Sequence, residues 1–233
     1  REGGFDLTGM LSGGHYDNSQ GAITSINVHA ANHWKVNNDM SKQKNINHIL
    51  SGTLSMNYQF NPDHVMGIRY KLSRDPKIRI DGTALAEAFM DGTMYEQSDA
   101  RYDIGGQFTS HDINAYYNGK VNDWSIDLNL DGMWHKTKQN QFTAQTITET
   151  SRKTMEENMT TFNRTRNNLL AGKLVISRPL WDGSLSFGGE YSHNSRTNLY
   201  HNDEGVLDSD DSEIKEGMTS GFVEYGRSFG KLG

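Results

Sequence analysis

The densest set of chemistry-bearing side chains is Asp208, Asp210, Asp211 and Glu213, four carboxylates within six residues. Hard oxygen ligands at that density could hold Ca²⁺. The spacing lacks the sixth-position glycine and distal Glu of an EF-hand, so a solvated acidic loop is the plainer reading. The nine histidines, at 15, 29, 33, 48, 64, 111, 135, 193 and 201, are dispersed and form no spaced ligand set. No Gly-rich phosphate loop follows a strand pattern, no nucleophile elbow occurs, and no His-Glu-x-x-His pair is present. With no cysteine in the chain there is neither a disulfide framework nor a thiolate ligand or nucleophile. The expectation is a protein that is not an enzyme and needs no cofactor, with Ca²⁺ in the acidic loop as the one metal worth testing.

Such residues need elements to position them, and composition narrows which. The chain has 233 residues, a hydrophobic fraction of 34%, 10% aromatics and 24 glycines, with a mean hydropathy of -0.76. That suits thin apolar stripes and Gly-rich strands better than a thick common core. A net charge of -6 without a basic cluster argues against a nucleic-acid partner. No run of eighteen apolar residues exists, so no membrane-spanning helix is expected; barrel strands leave a weaker signal and stay open.

The stretch from Trp124 to Trp134 is the most regular. Trp124, Ile126, Leu128, Leu130 and Trp134 fall on one side of an extended chain and Ser125, Asp127, Asn129 and Asp131 on the other. Ten steps at about 3.3 Å, tilted by about 40°, span about 25 Å, near the apolar band of an outer-membrane barrel with aromatic girdles. A half-buried strand of a soluble sandwich would show the same alternation. Similar alternation runs through Phe5–Leu11, Leu54–Phe60, Met66–Leu72, Ile113–Tyr117 and Leu185–Tyr191, with further strands over 162–178 and 212–229 and a less regular run over 22–36.

Turn chemistry punctuates these runs at 17–21, 61–64, 119–123, 179–183 and 230–233, while 37–44, 81–103, 143–161 and 201–211 read as polar loops. Short helical pieces over 84–90 and 151–159 are compatible with propensity. In an up-and-down order the short turns share one end of the sheet and the long loops the other, as in an outer-membrane barrel. The expected fold is therefore all-β, an antiparallel meander of about nine strands, twelve to sixteen residues long, forming part of a transmembrane barrel. Trp124, Ile126, Leu128, Leu130 and Trp134 would face lipid, and Asp127, Asn129 and Asp131 the lumen. The histidines would be exposed or lumen-facing polar side chains. Trp34, Tyr95, Tyr102 and Tyr200 could stack on a sugar ring or chelate, or serve as girdle residues.

Leu54-Ser-Met-Asn-Tyr-Gln-Phe-Asn-Pro62 with its return Met66-Gly-Ile-Arg-Tyr70, and the terminal Gly221-Phe-Val-Glu-Tyr-Gly-Arg-Ser-Phe-Gly-Lys-Leu232, resemble hairpins of TonB-dependent outer-membrane receptors of the Bacteroidetes barrel type. The resemblance implies a segment, residues 1–233, of a larger barrel of about 22 strands, with a plug domain and further strands outside it. It implies the lipid bilayer, the protein's own plug, the TonB complex and an imported nutrient as partners. An isolated slice, with two free edges and a bare apolar face, would be expected to self-associate. The other reading of the same pattern is a secreted or surface all-β binding module, an adhesin or lectin-like sandwich. The two separate on whether a second sheet covers the apolar face.

Overall fold

A computed structural model describes residues 4–29 and 32–227. Nine strands make one antiparallel sheet: β1 (Gly4–Gln20), β2 (Ile23–His29), β3 (His33–Asn61), β4 (His64–Met90), β5 (Thr93–Val121), β6 (Trp124–Glu149), β7 (Thr154–Leu180), β8 (Gly183–Asn202) and β9 (Asp210–Arg227). The spatial order is β1-β3-β4-β5-β6-β7-β8-β9, with β2 also on β3. From β2 onward sequential neighbours pair, the meander expected from the alternation, while β1 pairs with β3. Among the described residues the sheet is open, with β1 and β2 along one edge and β9 along the other. Among the described residues no second layer covers either face, and no apolar side chain is buried.

The strands are far longer than the apolar runs within them, and this corrects the loop assignments. β3 has 29 residues, β4 27, β5 29 and β6 26. The segments 37–44 and 81–103 lie in paired strand except for a turn at Asp91-Gly92. Within 143–161 only residues 150–153 leave the ladder, and within 201–211 only 203–209. Neither 84–90 nor 151–159 is helical. Polar side chains misled the sequence reading because a backbone ladder needs only N–H and C=O groups, which every residue here but proline supplies on both counts. A hairpin can therefore rise out of its apolar zone as long as the pairing continues.

The turn expected at 17–21 is also absent. β1 and β2 run in the same direction against one partner, interrupted only at Gly21-Ala22, where Ala22 and Met40 exchange backbone hydrogen bonds of 3.4 and 2.8 Å. The first reversal comes instead between His29 and His33, so the strand expected over 22–36 is two strands. The turn expected at 230–233 lies outside the described residues. The other short turns stand where Pro, Asn, Asp and Gly put them, at 62–63, 122–123 and 181–182.

Asp91 and Gly92 have φ of 49° and 82°, the left-handed pair that a two-residue hairpin requires. Trp181 and Asp182 adopt the same region at 48° and 56°, an uncommon conformation for side-chain-bearing residues. Partners hold them there: the Tyr225 hydroxyl donates to the Trp181 carbonyl at 3.0 Å and Arg227 pairs with Asp182 at 3.2 Å.

Glycines make room for aromatic rings on the sheet. Tyr116 crosses Gly67 on the middle strand and its hydroxyl donates to Asn57 Oδ1 at 2.9 Å, and a Cβ on Gly67 would lie 2.5 Å from the Tyr116 ring. Tyr102 crosses Gly82 in the same way to reach Gln43 Oε1 at 3.1 Å. Gly67→Ala should therefore destabilise the folded protein by about 1–3 kcal/mol. Gly105→Ala, where a Cβ meets nothing within 4 Å, should stay within about 0.5 kcal/mol. Denaturant midpoints measure both, and combining Gly67→Ala with Tyr116→Ala should recover most of the loss if the ring is the obstacle.

Candidate functional site

Register converts the alternation of single strands into two continuous surfaces. Directly opposed residues share a face, so Leu7, Met56, Ile68, Ala115, Leu130, Gly172 and Tyr191 form one row across seven strands. The next row toward the short turns is Phe5, Tyr58, Met66, Tyr117, Leu128 and Leu174. These rows belong to an apolar belt that includes every residue expected on the greasy side, Trp124, Ile126, Leu128, Leu130 and Trp134. Leu130 and Leu170 are 47% and 52% exposed, so nothing in the described protein covers it.

Aromatic groups mark both rims of the belt. Near the short turns, Trp124 meets Phe187 edge-on at 6.0 Å and lies under the Arg178 guanidinium at 4.9 Å, and Tyr58 meets Phe60 edge-on at 4.7 Å. Toward the far end, Trp134 folds back over Gly132, and the Tyr70 hydroxyl shares a 2.6 Å hydrogen bond with His111. His64 does the same with Tyr117 at 2.7 Å. His64 and His111 thus share the belt face with their tyrosines, against the expectation of exposed or lumen-facing histidines; a tyrosine partner satisfies a ring nitrogen there without a charge.

The opposite face is a polar wall. Asp127, Asn129 and Asp131 lie on it, and so do partners that the single strand could not show. Asn114 on β5 donates to both Asn129 Oδ1 and Asp131 Oδ1, each at 2.7 Å. The row of Asn57, Tyr116, Asn129, Lys173 and Glu190 crosses from β3 to β8. Beside it a shallow groove of about 690 Å³ is lined by Thr53, Arg69, Lys71, Asp112, Asn114 and Asp131. The wall presents donors, acceptors and both signs of charge, which suits it to hydrate or to bind a polar surface or solute. The signal for Asn114 and Lys173 was the same period-two pattern; what was missing was the register that brings them beside Asp127–Asp131.

The carboxylate cluster does not converge. Asp208 is in the connection, while Asp210 and Asp211 are consecutive strand positions and point to opposite faces. Asp210 accepts from Ser212 at 3.0 Å and Glu213 pairs with Lys215 at 3.0 Å. Among the described residues no three His, Asp or Glu side chains could share a metal ion. Of the four aromatics, Trp34 and Tyr95 meet edge-on at 5.2 Å near the tips of the tall hairpins. Tyr102 lies on the wall face well above the belt, where burial pushes its phenol above the usual value. Tyr200 is in β8, two residues from its end.

The connection 203–209 is organised by Asn202 and Glu204. Asn202 Oδ1 accepts from the Val206 and Leu207 amides at 2.7 and 3.3 Å. The Glu204 carboxylate accepts from the Thr160 amide at 2.6 Å and from its hydroxyl at 2.8 Å. Those two bonds, the backbone one first, hold the Glu204 carboxyl below its ordinary range. A depressed carboxylate stabilises the folded state above its unfolded value and loses that effect as pH falls through the folded value. Hydrogen-exchange protection of the Thr160 amide should therefore be full near neutral pH and be lost only as pH falls below the ordinary carboxylate range; Glu204→Gln should show weaker protection with no such step.

No family model matches the chain, and no curated protein matches it. Among solved structures, the crystal structure of Pseudomonas aeruginosa OccK1 (OpdK) is similar at 8% identity, covering 96% of this chain and 99% of that one, with a TM-score of 0.11. A likeness that weak carries no argument.

Proposed function

We propose that this chain is part of the wall of an outer-membrane β-barrel receptor that imports a nutrient, with lipid against the belt and the polar wall toward the lumen. The observation that carries the reading is the bare apolar belt, continuous across seven strands and backed by a mostly polar face that Met10, Met133 and Leu169 interrupt. A secreted binding module would cover that face with a second sheet, and none lies over it among the described residues.

The two ends of the sheet support an orientation. On one side of the belt the strands turn within two residues, at 62–63, 122–123 and 181–182. On the other they continue, β6 from Trp134 to Glu149 and β7 from Thr154 before Leu170 is reached. Short periplasmic turns and tall outer structures are the arrangement of such barrels. The resemblance of the Leu54–Tyr70 hairpin to TonB-dependent receptors supports energised uptake as the mode of import.

Leu128 and Asn129 are neighbours in sequence on opposite faces, which makes them a matched test. In the full-length protein folded into phospholipid vesicles, Leu128→Arg should cost about 2–4 kcal/mol, as a charge does near the midplane of the lipid face. Asn129→Arg should cost less than about 1 kcal/mol. Equal costs would end the assignment of faces. For the transport step, accumulation of the solute should stop in cells lacking TonB; unchanged accumulation would reduce the proposal to a passive pore.

A further inference from the structure

Two histidines far apart in the chain meet on the face that continues from the belt. The β1–β3 ladder runs without a shift from Gly4 and Gln59 to Gln20 and Gln43, and it sets His15 directly opposite His48. Their ring centroids are 4.6 Å apart, with the planes tilted by 48°. The pair lies past Leu11 and Gly52, which share a row with Trp134, and so stands beyond the apolar belt. His15 is exposed and His48 half-buried.

A bulge prepares His48. The β3–β4 pairing shifts between Ile46 and Leu50, and the β4–β5 pairing between Asp75 and Ile78; bulges re-aim the groups beside them. Here the buried Asp75 carboxylate gathers the irregular backbone, accepting from the His48 amide at 3.3 Å and from the Lys77 amide at 3.1 Å. The Lys77 carbonyl in turn meets His48 Nδ1 at 3.3 Å. A carbonyl only accepts, so Nδ1 of the neutral ring carries the proton and Nε2 keeps its lone pair. A backbone carbonyl on one ring nitrogen, with the other nitrogen left as a donor of its lone pair, is how metal-ligating histidines are oriented. His64 and His111 are engaged differently, each by a tyrosine hydroxyl.

The spacing suits one ion. A metal about 2.0–2.1 Å from a ring nitrogen lies about 3.2 Å from that ring's centroid, so two imidazoles at about 90–110° on one ion have centroids about 4.5–5.2 Å apart. The observed 4.6 Å falls in that range. Among the described residues no third His, Asp or Glu joins the pair, which leaves the other coordination positions to water. Of the cations flanking the pair on this face, Lys44 is held by Asp17 and Arg79 by Asp81 and Asp103, while Arg74 stands opposite Leu50 on the belt side. Imidazole nitrogens select Zn²⁺, Cu²⁺ or Ni²⁺ over Mg²⁺ and Ca²⁺.

We propose that His15 and His48 form a cross-strand chelate for a divalent transition-metal ion, fastening β1 to β3 outside the apolar belt. The inference rests on the register of this strand pair and does not require the membrane reading. The full-length protein, untagged, folded in detergent micelles and stripped with EDTA, should take up Zn²⁺ in competition with a chromophoric chelator at a site that H15Q/H48Q lacks. H15Q and H48Q should each weaken that site at least about ten-fold, since losing even an outer partner of a ligand costs about 10–100-fold. H193Q, on the same face of β8, should bind like the parent. With Cu²⁺ as the probe, electron paramagnetic resonance should show two coordinated imidazoles in the parent and one in H15Q.

Equal Zn²⁺ binding by parent and H15Q, or a parent Cu²⁺ spectrum without the two-imidazole signal, would overturn the inference. His15 is exposed, so H15Q decides the question if H48Q fails to fold.

Discussion

Everything in this sheet depends on the register of its antiparallel ladder. Because side chains alternate with period two, a slip of one residue would send Leu128 and Leu130 to the polar wall and Asp127, Asn129 and Asp131 into the belt. The ladder runs without a shift from Ser125 to Thr148 against β7 and from Val121 back to Glu96 against β6. Shifts occur where β3 and β4 meet, between Asp39 and Lys42, Ile46 and Leu50, and Gln59 and Asn61, and where β4 meets β5, between Asp75 and Ile78 and between Ala88 and Phe89. The Gln59/Asn61 shift adjoins the short turn at 62–63 and the others lie beyond the belt toward the tall hairpins, so the bulges flank the apolar rows and leave them in step.

A one-layer sheet has no core to lock that register, and other contacts take over. Tyrosines lying across glycines, Tyr116 over Gly67 and Tyr102 over Gly82, tie a third strand to the pair they sit on through Asn57 and Gln43. Asn114 binds two wall residues of β6 at once. Turn ends are tied to the neighbouring hairpin, as when the Asp91 amide donates to the His33 carbonyl at 2.9 Å and the Thr150 amide to the Tyr95 carbonyl at 3.0 Å. The tyrosine and turn-end contacts reach beyond the adjacent strand or the hairpin itself, and with the Asn114 bonds they make a slip costly at several places together.

The asymmetry between the two ends has the same origin. On the short-turn side, aromatic residues and tight turns follow each other closely, with Trp124 directly after Asn122-Asp123. On the other side the chain leaves the belt at Trp134 and remains paired through Thr, Gln, Asn and charged positions to Glu149. Polar hairpins of this height are held by backbone bonds and by side-chain links such as Gln145 to Glu157 at 2.6 Å. The face that continues from the belt also carries ion pairs there, such as Lys44 with Asp17 and Arg79 with Asp81 and Asp103.

The amino-acid sequence by itself determined the all-β class, the meander and the two faces of Trp124–Trp134, because period-two alternation acts locally and needs no partner to be read. It also determined the turns at 62–63, 122–123 and 181–182, where Pro, Asn, Asp and Gly restrict the backbone directly. Only the tertiary structure decided that 37–44, 81–103 and most of 143–161 are strand, since polar residues carry no periodic signal and join a ladder only when a neighbouring strand offers hydrogen bonds. For the same reason it alone joined β1 and β2 along one edge, parted Asp210 from Asp211, set Asn114 against Asn129 and Asp131, and brought His15 opposite His48: each is a relation between strands or to a strand's register, which a single stretch of chain cannot hold.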